Sequence, residues 1–390
     1  MDSFDFDAPL DRRAAPDCRK WNRYDADVLP LWVADMDFAV PRPVLEALRA
    51  RVEHAAFGYA AATPALIEAI VAMLEQRHGW RVAPEAVVML PGVEPGFNMA
   101  LRGLLKPGDG VVIQTPVYAP LRAAPGHWGL RRVEVPLAAT ADDIEADLPA
   151  LDAALGAPDT RALLLCNPHN PTGKVYARAE LAAIAQTCLA NDVLVVSDEI
   201  HCDLVLDGDA RRHVPIASLA PEIAAHSVTL MSASKTYNVA GLKAAFAIIP
   251  DAALRQRVTA ARAGMVDSVN LMGLAATQAA LTGCEAWRRA LVAYLGANRD
   301  FLTREIARRF PAIGFRPPQA SFLAWLDCRR LALGVDPQAF FLDHARVALS
   351  PGGEFGPLGE GHVRLNFGCR RATLAQALDR MEAALARSTS

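Results

Sequence analysis

Long apolar runs are missing from this chain. Arg, Asp, Gly or Pro interrupts each candidate before it reaches the length of a membrane span, so no bilayer-spanning helix is expected. A block of like charge is missing too. The net charge is −3 over 390 residues, which argues against a nucleic-acid partner and against a basic membrane-binding face. The seven cysteines (18, 166, 188, 202, 284, 328 and 369) are scattered, odd in number and without a CxxC pair. That argues against a disulfide framework or a zinc site and favours a reduced, cytoplasmic setting. The opening residues MDSFDFDAPLDRR are acidic and have no apolar h-region, so no secretory signal is expected there. Internal repeats and low-complexity linkers are absent as well.

Lysine is scarce. The basic residues are mostly arginine, and the only lysines are Lys20, Lys106, Lys174, Lys235 and Lys243. Two of them fall in one stretch, SASKTYNVAGLK (232–243), straight after an apolar run. What the chain does have is apolar residues, 52% against 21% charged, enough for a sizeable core. Its length suggests two closely packed domains.

Short β-branched or leucine-rich runs punctuate the middle of the chain: VVML (87–90), VVIQT (111–115), RALLLC (161–166), VLVVS (193–197), VTLMS (228–232) and AAFAII (244–249). These read as buried strands. Helical patterns such as RAELAAIAQTCLAN (178–191) lie between several of them. That rhythm implies an α/β fold with a largely parallel sheet and helices on both faces. The end of the chain differs. A long helical stretch (285–309) leads to FLAWLD (322–327), a helix near 336–346, HVRLNF (362–367) and a last helix, which reads as a smaller α+β domain.

Ligands of open α/β sheets bind outside the carboxyl ends of the strands. After VVML comes PGVEPGFNMA, a loop-to-helix turn that either cradles an anion on free N–H groups or is ordinary turn chemistry. After VVIQT comes PVYAP, where Tyr118 either stacks on a planar ligand or packs. RALLLC runs into NPHNPTG, a rigid turn that presents Asn170. VLVVS runs into DEIHCDL, two carboxylates and a histidine that are costly to bury without partners; their spacing is not a familiar metal-ligand pattern. SASKTYNVAGLK follows VTLMS. An anion-binding turn, an aromatic face, an amide, a carboxylate and a lysine at one sheet edge describe a pyridoxal phosphate site.

These stretches, with LPLWVADMDFAVP (29–41), FGY (57–59) and VRLNFGC (363–369), resemble fold-type I pyridoxal-phosphate enzymes of the class I/II aminotransferase superfamily. WVADMDF, DEIH and SKTYN together resemble the cystathionine β-lyase (C–S lyase) branch of MalY/PatB type. The resemblance implies a large domain (50–284) with a mostly parallel seven-stranded sheet, and a small domain formed from 1–49 and 285–390. It implies that Lys235 forms the Schiff base, that Asp198 pairs with the pyridine nitrogen, and that Asn170 and His201 face the phenolic oxygen. Tyr118 would stack on the ring. Val93, Glu94 and Ser232 would hold the phosphate, with Lys243 phosphate-facing or simply near the strand end. Arg364 would clamp the substrate carboxylate, and Tyr59 would reach the phosphate of a neighbouring subunit in a homodimer with shared active sites. His201 stands where aminotransferases of this fold commonly have tyrosine, as it does in the lyase branch. Glu94 departs from the apolar residue usual in that branch and is expected to turn its side chain away from the phosphate. The implied activity is elimination of a thiol from cystathionine or a cysteine S-conjugate, giving pyruvate and ammonia. An aminotransferase shares every cofactor residue and is the alternative; a regulatory binding protein on the same fold is a third.

Overall fold

β-Branched and leucine-rich runs can bury both faces of a strand, and here they build the centre of the molecule. The computed structural model describes residues 4–139, 144–208, 211–266 and 268–388. Its first nine strands are β1 (Leu29–Pro30), β2 (Val87–Leu90), β3 (Gly110–Thr115), β4 (Arg131–Ala139), β5 (Ile144–Ala146), β6 (Thr160–Cys166), β7 (Leu194–Asp198), β8 (Ser227–Met231) and β9 (Ala245–Ile248). Five more follow: β10 (Gly314–Phe315), β11 (Leu323–Asp327), β12 (Val347–Ala348), β13 (Ser350–Pro351) and β14 (His362–Asn366).

The main sheet has the order β2-β9-β8-β7-β6-β3-β4-β5. Strands β8, β7, β6, β3 and β4 run parallel, and β9 is antiparallel to both its neighbours. The sheet therefore has eight strands where seven are expected from the sequence. The additional one is β5, three residues paired antiparallel with the end of β4. Strand β4 also escapes the apolar-run criterion. It begins Arg131-Arg132, both exposed, and only Val135 is fully buried in its centre, because the sheet is half-solvated near this edge.

The parallel strands place their carboxyl ends on one side. Helix Val93–Leu104 follows β2 and packs Phe97, Met99 and Leu101 against β8 and β9 residues such as Leu230 and Ala247. Gly96 lets it approach: a Cβ there would stand 2.8 Å from Leu230 and Leu90 side-chain atoms. A second sheet, β10-β11-β14-β13, is antiparallel throughout. Helices Glu285–Arg309 and Arg371–Ser388 cover it, contributing Leu291, Leu302, Leu374 and Leu378 to one core. The N-terminal segment joins that core through Phe6, Leu31, Met36 and Phe38, and β1 pairs with β12. The helix expected near 336–346 is a single α-turn, Pro337–Phe340, running into a wider π-turn over Phe341–Ala345.

Helix Leu271–Gly283 packs directly on the segment that carries Lys243. A Cβ on Gly273 would lie 2.4 Å from the Leu242 carbonyl oxygen and 2.8 Å from Ala244 Cβ. Alanine gains about 1 kcal/mol of helix propensity over glycine, but forcing atoms into a filled contact costs about 1–3 kcal/mol, and here the obstacle is backbone. Gly273→Ala is therefore expected to lower the urea midpoint. Gly126→Ala, in helix Ala119–His127 with nothing within 4 Å of the added carbon, is expected to raise it.

Candidate active site

The carboxyl ends of β3, β6, β7 and β8 open into a cavity of about 630 Å³. Its lining includes Val93, Glu94, Tyr118, Asn170, Asp198, His201, Ser232, Lys235, Lys243 and Arg364. Ten of the eleven residues singled out from the sequence thus meet in one place. Tyr59 does not: its side chain is 97% exposed and lies outside its own chain's cavity.

One end of the cavity is a donor cradle. Gly92 precedes helix Val93–Leu104, whose first-turn N–H groups have no intrahelical acceptor, and Pro95 brings no N–H at all. Ser232 Oγ donates to the Ala244 carbonyl at 2.7 Å and accepts from the Ser234 N–H at 3.0 Å. Lys243 has left-handed backbone (φ 53°), which turns the chain from the 3₁₀ turn Ala240–Leu242 toward β9. Glu94 is exposed, and its carboxylate faces the Tyr118 hydroxyl along the wall.

The floor holds the titratable groups. Asp198, the last residue of β7, accepts from the Ile200 N–H at 3.1 Å. Burial pushes its carboxyl up to about 6, against the pull of that N–H and of the Lys235 charge. Lys235 donates from Nζ to the Ala34 carbonyl at 2.7 Å. Desolvation, then the Arg364 charge, draws its ammonium down to about 8. His201 is buried with its ring edge-on to Phe322, and burial holds it down to about 3, hence neutral. Its Nδ1 has no hydrogen-bond partner. Burial and Glu94 push Tyr118 up to about 12, so its hydroxyl keeps its proton.

Arg364, in β14, is the cation of the opposite wall. Nη1 donates to Asn170 Oδ1 at 3.1 Å, and Nη2 donates to the Trp32 carbonyl at 2.9 Å and to Ser350 Oγ at 3.1 Å. Its guanidinium lies 4.9 Å from the Phe355 ring centroid. Burial draws it down to about 10, which leaves it cationic at neutral pH. Its Nε is buried without a partner, and three of the five guanidinium N–H groups are engaged, so two remain for a ligand. The strap Trp32–Met36 closes this side. Asn366 Nδ2 donates to the Val33 and Asp35 carbonyls, and Asn238 binds both the N–H and the carbonyl of Met36.

The DEIHCDL residues diverge. Asp198 and His201 face the cavity, whereas Glu199 turns to the other face and accepts from His213 Nε2 at 2.7 Å and Ser197 Oγ at 2.9 Å. Asp203 takes Arg77 at 2.6 Å, and the same guanidinium reaches the Tyr237 hydroxyl at 3.1 Å, two residues beyond Lys235. Sequence reasoning missed the Trp32 and Ala34 carbonyls, Ser234, Ser350, Glu354 and Arg19. Ser234 sits between two singled-out residues, and Trp32 and Ala34 lie in a quoted motif. The remaining three carry no local signal.

The fold and this constellation define a known class. The chain belongs to the aminotransferase class I and II family, whose model matches residues 26–381. It is 38% identical to the cystathionine beta-lyase PatB of Bacillus subtilis, over 92% of this chain and 93% of PatB. The crystal structure of OvoB superposes with a TM-score of 0.92 at 42% identity, covering 98% of this chain and 99% of that one. A PLP-bound C–S lyase from Staphylococcus hominis gives a TM-score of 0.92 at 30% identity, with the same coverage.

Two shifts on the cavity floor make ligand-free stability depend on pH. Folded Asp198 holds its proton at about 6, against 3.8 when unfolded. Between those values the folded chain binds more protons, so this contribution to stability falls as pH rises and stays low above about 6. Lys235 runs the other way: with a folded value of about 8 against 10.5, its contribution rises only as pH climbs through that window. Near neutral pH both groups weigh against the ligand-free fold. Asp198→Asn is expected to stabilise the ligand-free protein by on the order of 1–3 kcal/mol near pH 7. Denaturant titrations should show that gain disappearing toward about pH 4.

Proposed function

We infer that this protein is a pyridoxal-phosphate-dependent C–S β-lyase. The observation that carries the reading is Lys235, the amine on the cavity floor, drawn down to about 8 and held at the Ala34 carbonyl, in a chain akin to cystathionine β-lyases and C–S lyases. The residues fit the cofactor. The helix N-terminus with Ser232 and Lys243 suits a phosphate, and Asp198 suits a protonated ring nitrogen. The partnerless Nδ1 of His201 and Nε of Arg364 mark polar atoms that lack a mate.

In this reading Val93 and Glu94 N–H groups, Ser232 and Lys243 hold the phosphate, Tyr118 covers the ring, and Asn170 and His201 face its phenolic oxygen. Pyridoxal phosphate supplies an electron sink that accepts the pair left when the substrate's α-proton departs. Asp198 keeps the proton on the ring nitrogen that makes the sink effective. Arg364 takes the substrate α-carboxylate in a charged bidentate contact and fixes the α-carbon. Lys235 Nζ is the general base, and the enclosure that draws its pKa down favours the neutral form that accepts a proton. The Cβ–S bond then breaks, the thiol leaves, and the released enamine hydrolyses to pyruvate and ammonia. The two-domain division, 50–284 against 1–49 with 285–390, belongs to the same reading and is supported by the N-terminal segment sharing a core with the C-terminal helices. A cytoplasmic setting is supported by seven cysteines that are all free.

The test is pyruvate release from cystathionine or a cysteine S-conjugate with no 2-oxo acid present. Turnover of an ordinary amino acid only with a 2-oxo acid acceptor would instead make it an aminotransferase. Borohydride reduction should fix the cofactor on Lys235, and Lys235→Ala should lose turnover. Arg364→Ala should lower kcat/KM roughly ten- to a hundred-fold, the loss of one charged contact.

We also propose a homodimer with shared sites. Support comes from Tyr59 and Phe57, exposed at 97% and 58% in the extended segment between two helices. An inactive Tyr59 variant mixed with an inactive Lys235 variant should regain activity, because one site of the mixed dimer is intact. Subunit exchange without recovery would place Tyr59 in its own chain's site.

A further inference from the structure

The cavity has more wall than the chemistry above uses. Arg364 takes the α-carboxylate, the floor takes the ring, and the helix N-terminus with Lys243 takes the phosphate. What remains of the substrate is the group carried by sulfur. What remains of the wall includes two carboxylates, Glu94 and Glu354, with Arg19 and Trp32 at the rim.

The two carboxylates belong to one side. Glu94 faces the Tyr118 hydroxyl and raises its pKa. Glu354 lies in the turn Gly352–Phe355, and that turn is tied to the tyrosine's own segment: the Val117 N–H donates to the Phe355 carbonyl at 3.0 Å. The Glu354 charge reaches Arg364, whose guanidinium lies over the Phe355 ring. Both glutamates are exposed, and among the described residues neither has a cation at ion-pair distance. The rim also carries a cation, the Arg19 guanidinium, which lies 5.7 Å from the ring centroid of Trp32 in the same lining. Near Arg364 and Tyr118, then, two carboxylates of the wall stand outside any ion pair, and Arg19 sits over Trp32 rather than on either, which leaves negative charge there. A cofactor phosphate would add to it.

We propose that Glu94 and Glu354 make this site select cysteine S-conjugates whose sulfur substituent bears a positive charge, such as an ammonium, over neutral or anionic substituents of similar reach. The proposal rests on the C–S lyase reading. The reaction is unchanged by it: S-(2-aminoethyl)-L-cysteine plus water gives 2-aminoethanethiol, pyruvate and ammonia. The Cβ–S electron pair leaves with sulfur, which ends protonated, and no oxidant or reductant is consumed. A carboxylate near a cation in a partly screened cavity changes affinity on the order of tenfold.

The experiment compares pyruvate release from S-(2-aminoethyl)-, S-propyl- and S-carboxymethyl-L-cysteine by the holoenzyme, by Glu94→Gln and by Glu354→Gln. Thiols differ in intrinsic leaving ability, so the reading is the ratio of kcat/KM values within each protein; a change in cofactor retention cancels in that ratio. The parent is expected to favour the aminoethyl over the carboxymethyl substrate at least tenfold. Each substitution should shrink that preference several-fold, and the pair should shrink it further. If all three conjugates release pyruvate but the ratio is the same in parent and variants, charge selection is wrong and the lyase reading stands. If none releases pyruvate, the lyase reading fails and takes this proposal with it.

Discussion

The hydrogen bond from Lys235 Nζ to the Ala34 carbonyl, 2.7 Å long, joins segments 201 residues apart and sets the terms for the whole site. It requires the strap Trp32–Met36 to lie over the ends of the sheet. The strap is held by side chains from three regions: Asn238 and Asn366 satisfy its backbone, and Arg364 and Ser350 both bind the Trp32 carbonyl. Behind it, Asp37 accepts from Lys20 at 2.9 Å, Arg12 at 2.9 Å and Trp21 at 2.8 Å, and Lys20 is almost wholly buried. A buried ion pair contributes little net stability after desolvation, but losing one partner costs several kcal/mol. The cluster is thus better understood as fixing where the strap lies.

The same enclosure explains why the floor is electrostatically uncomfortable. Closing the cavity over Lys235, Asp198 and His201 removes water from all three, and each moves toward its neutral form. A base must be neutral to take a proton, so in the role proposed for Lys235 the cost to the lysine would be useful chemistry. On the proposed function, the cost to Asp198 would be recovered by a positive ring nitrogen standing against it. On that proposal, stability given up in the ligand-free fold would be converted into cofactor affinity and into a reactive amine. Arg364 resists the same environment because its guanidinium stays protonated, and the carbonyl, amide and hydroxyl around it share the charge.

Two glycines set how closely helices approach the cavity. Gly96 brings helix Val93–Leu104 onto β8, and Gly273 brings a second helix onto the Lys243 segment. Both contacts lie directly behind residues that line the cavity, so close helix packing there sets its dimensions.

The strand runs, their βαβ rhythm and the polar residues after each run were legible in the sequence, because buried parallel strands are continuous and apolar and their ends are not. That sufficed to bring Lys235, Asp198, Asn170, Tyr118 and the helix N-terminus to one edge. Strand β4 was not legible, since its arginines face water at the sheet margin, and β5 is too short to carry a period. Trp32 and Ala34 fall in a recognisable stretch, but the role of their carbonyls was not legible, since a backbone carbonyl has no residue identity; Ser350 and Glu354 lay beyond local pattern altogether, because a serine or glutamate becomes a site residue only when a distant segment packs beside it. Sequence alone therefore determined which chemical groups are available and on which edge they emerge. Tertiary structure decided which of them lose their water, which are paired and which are left facing the cavity, because desolvation and pairing depend on neighbours up to hundreds of residues away.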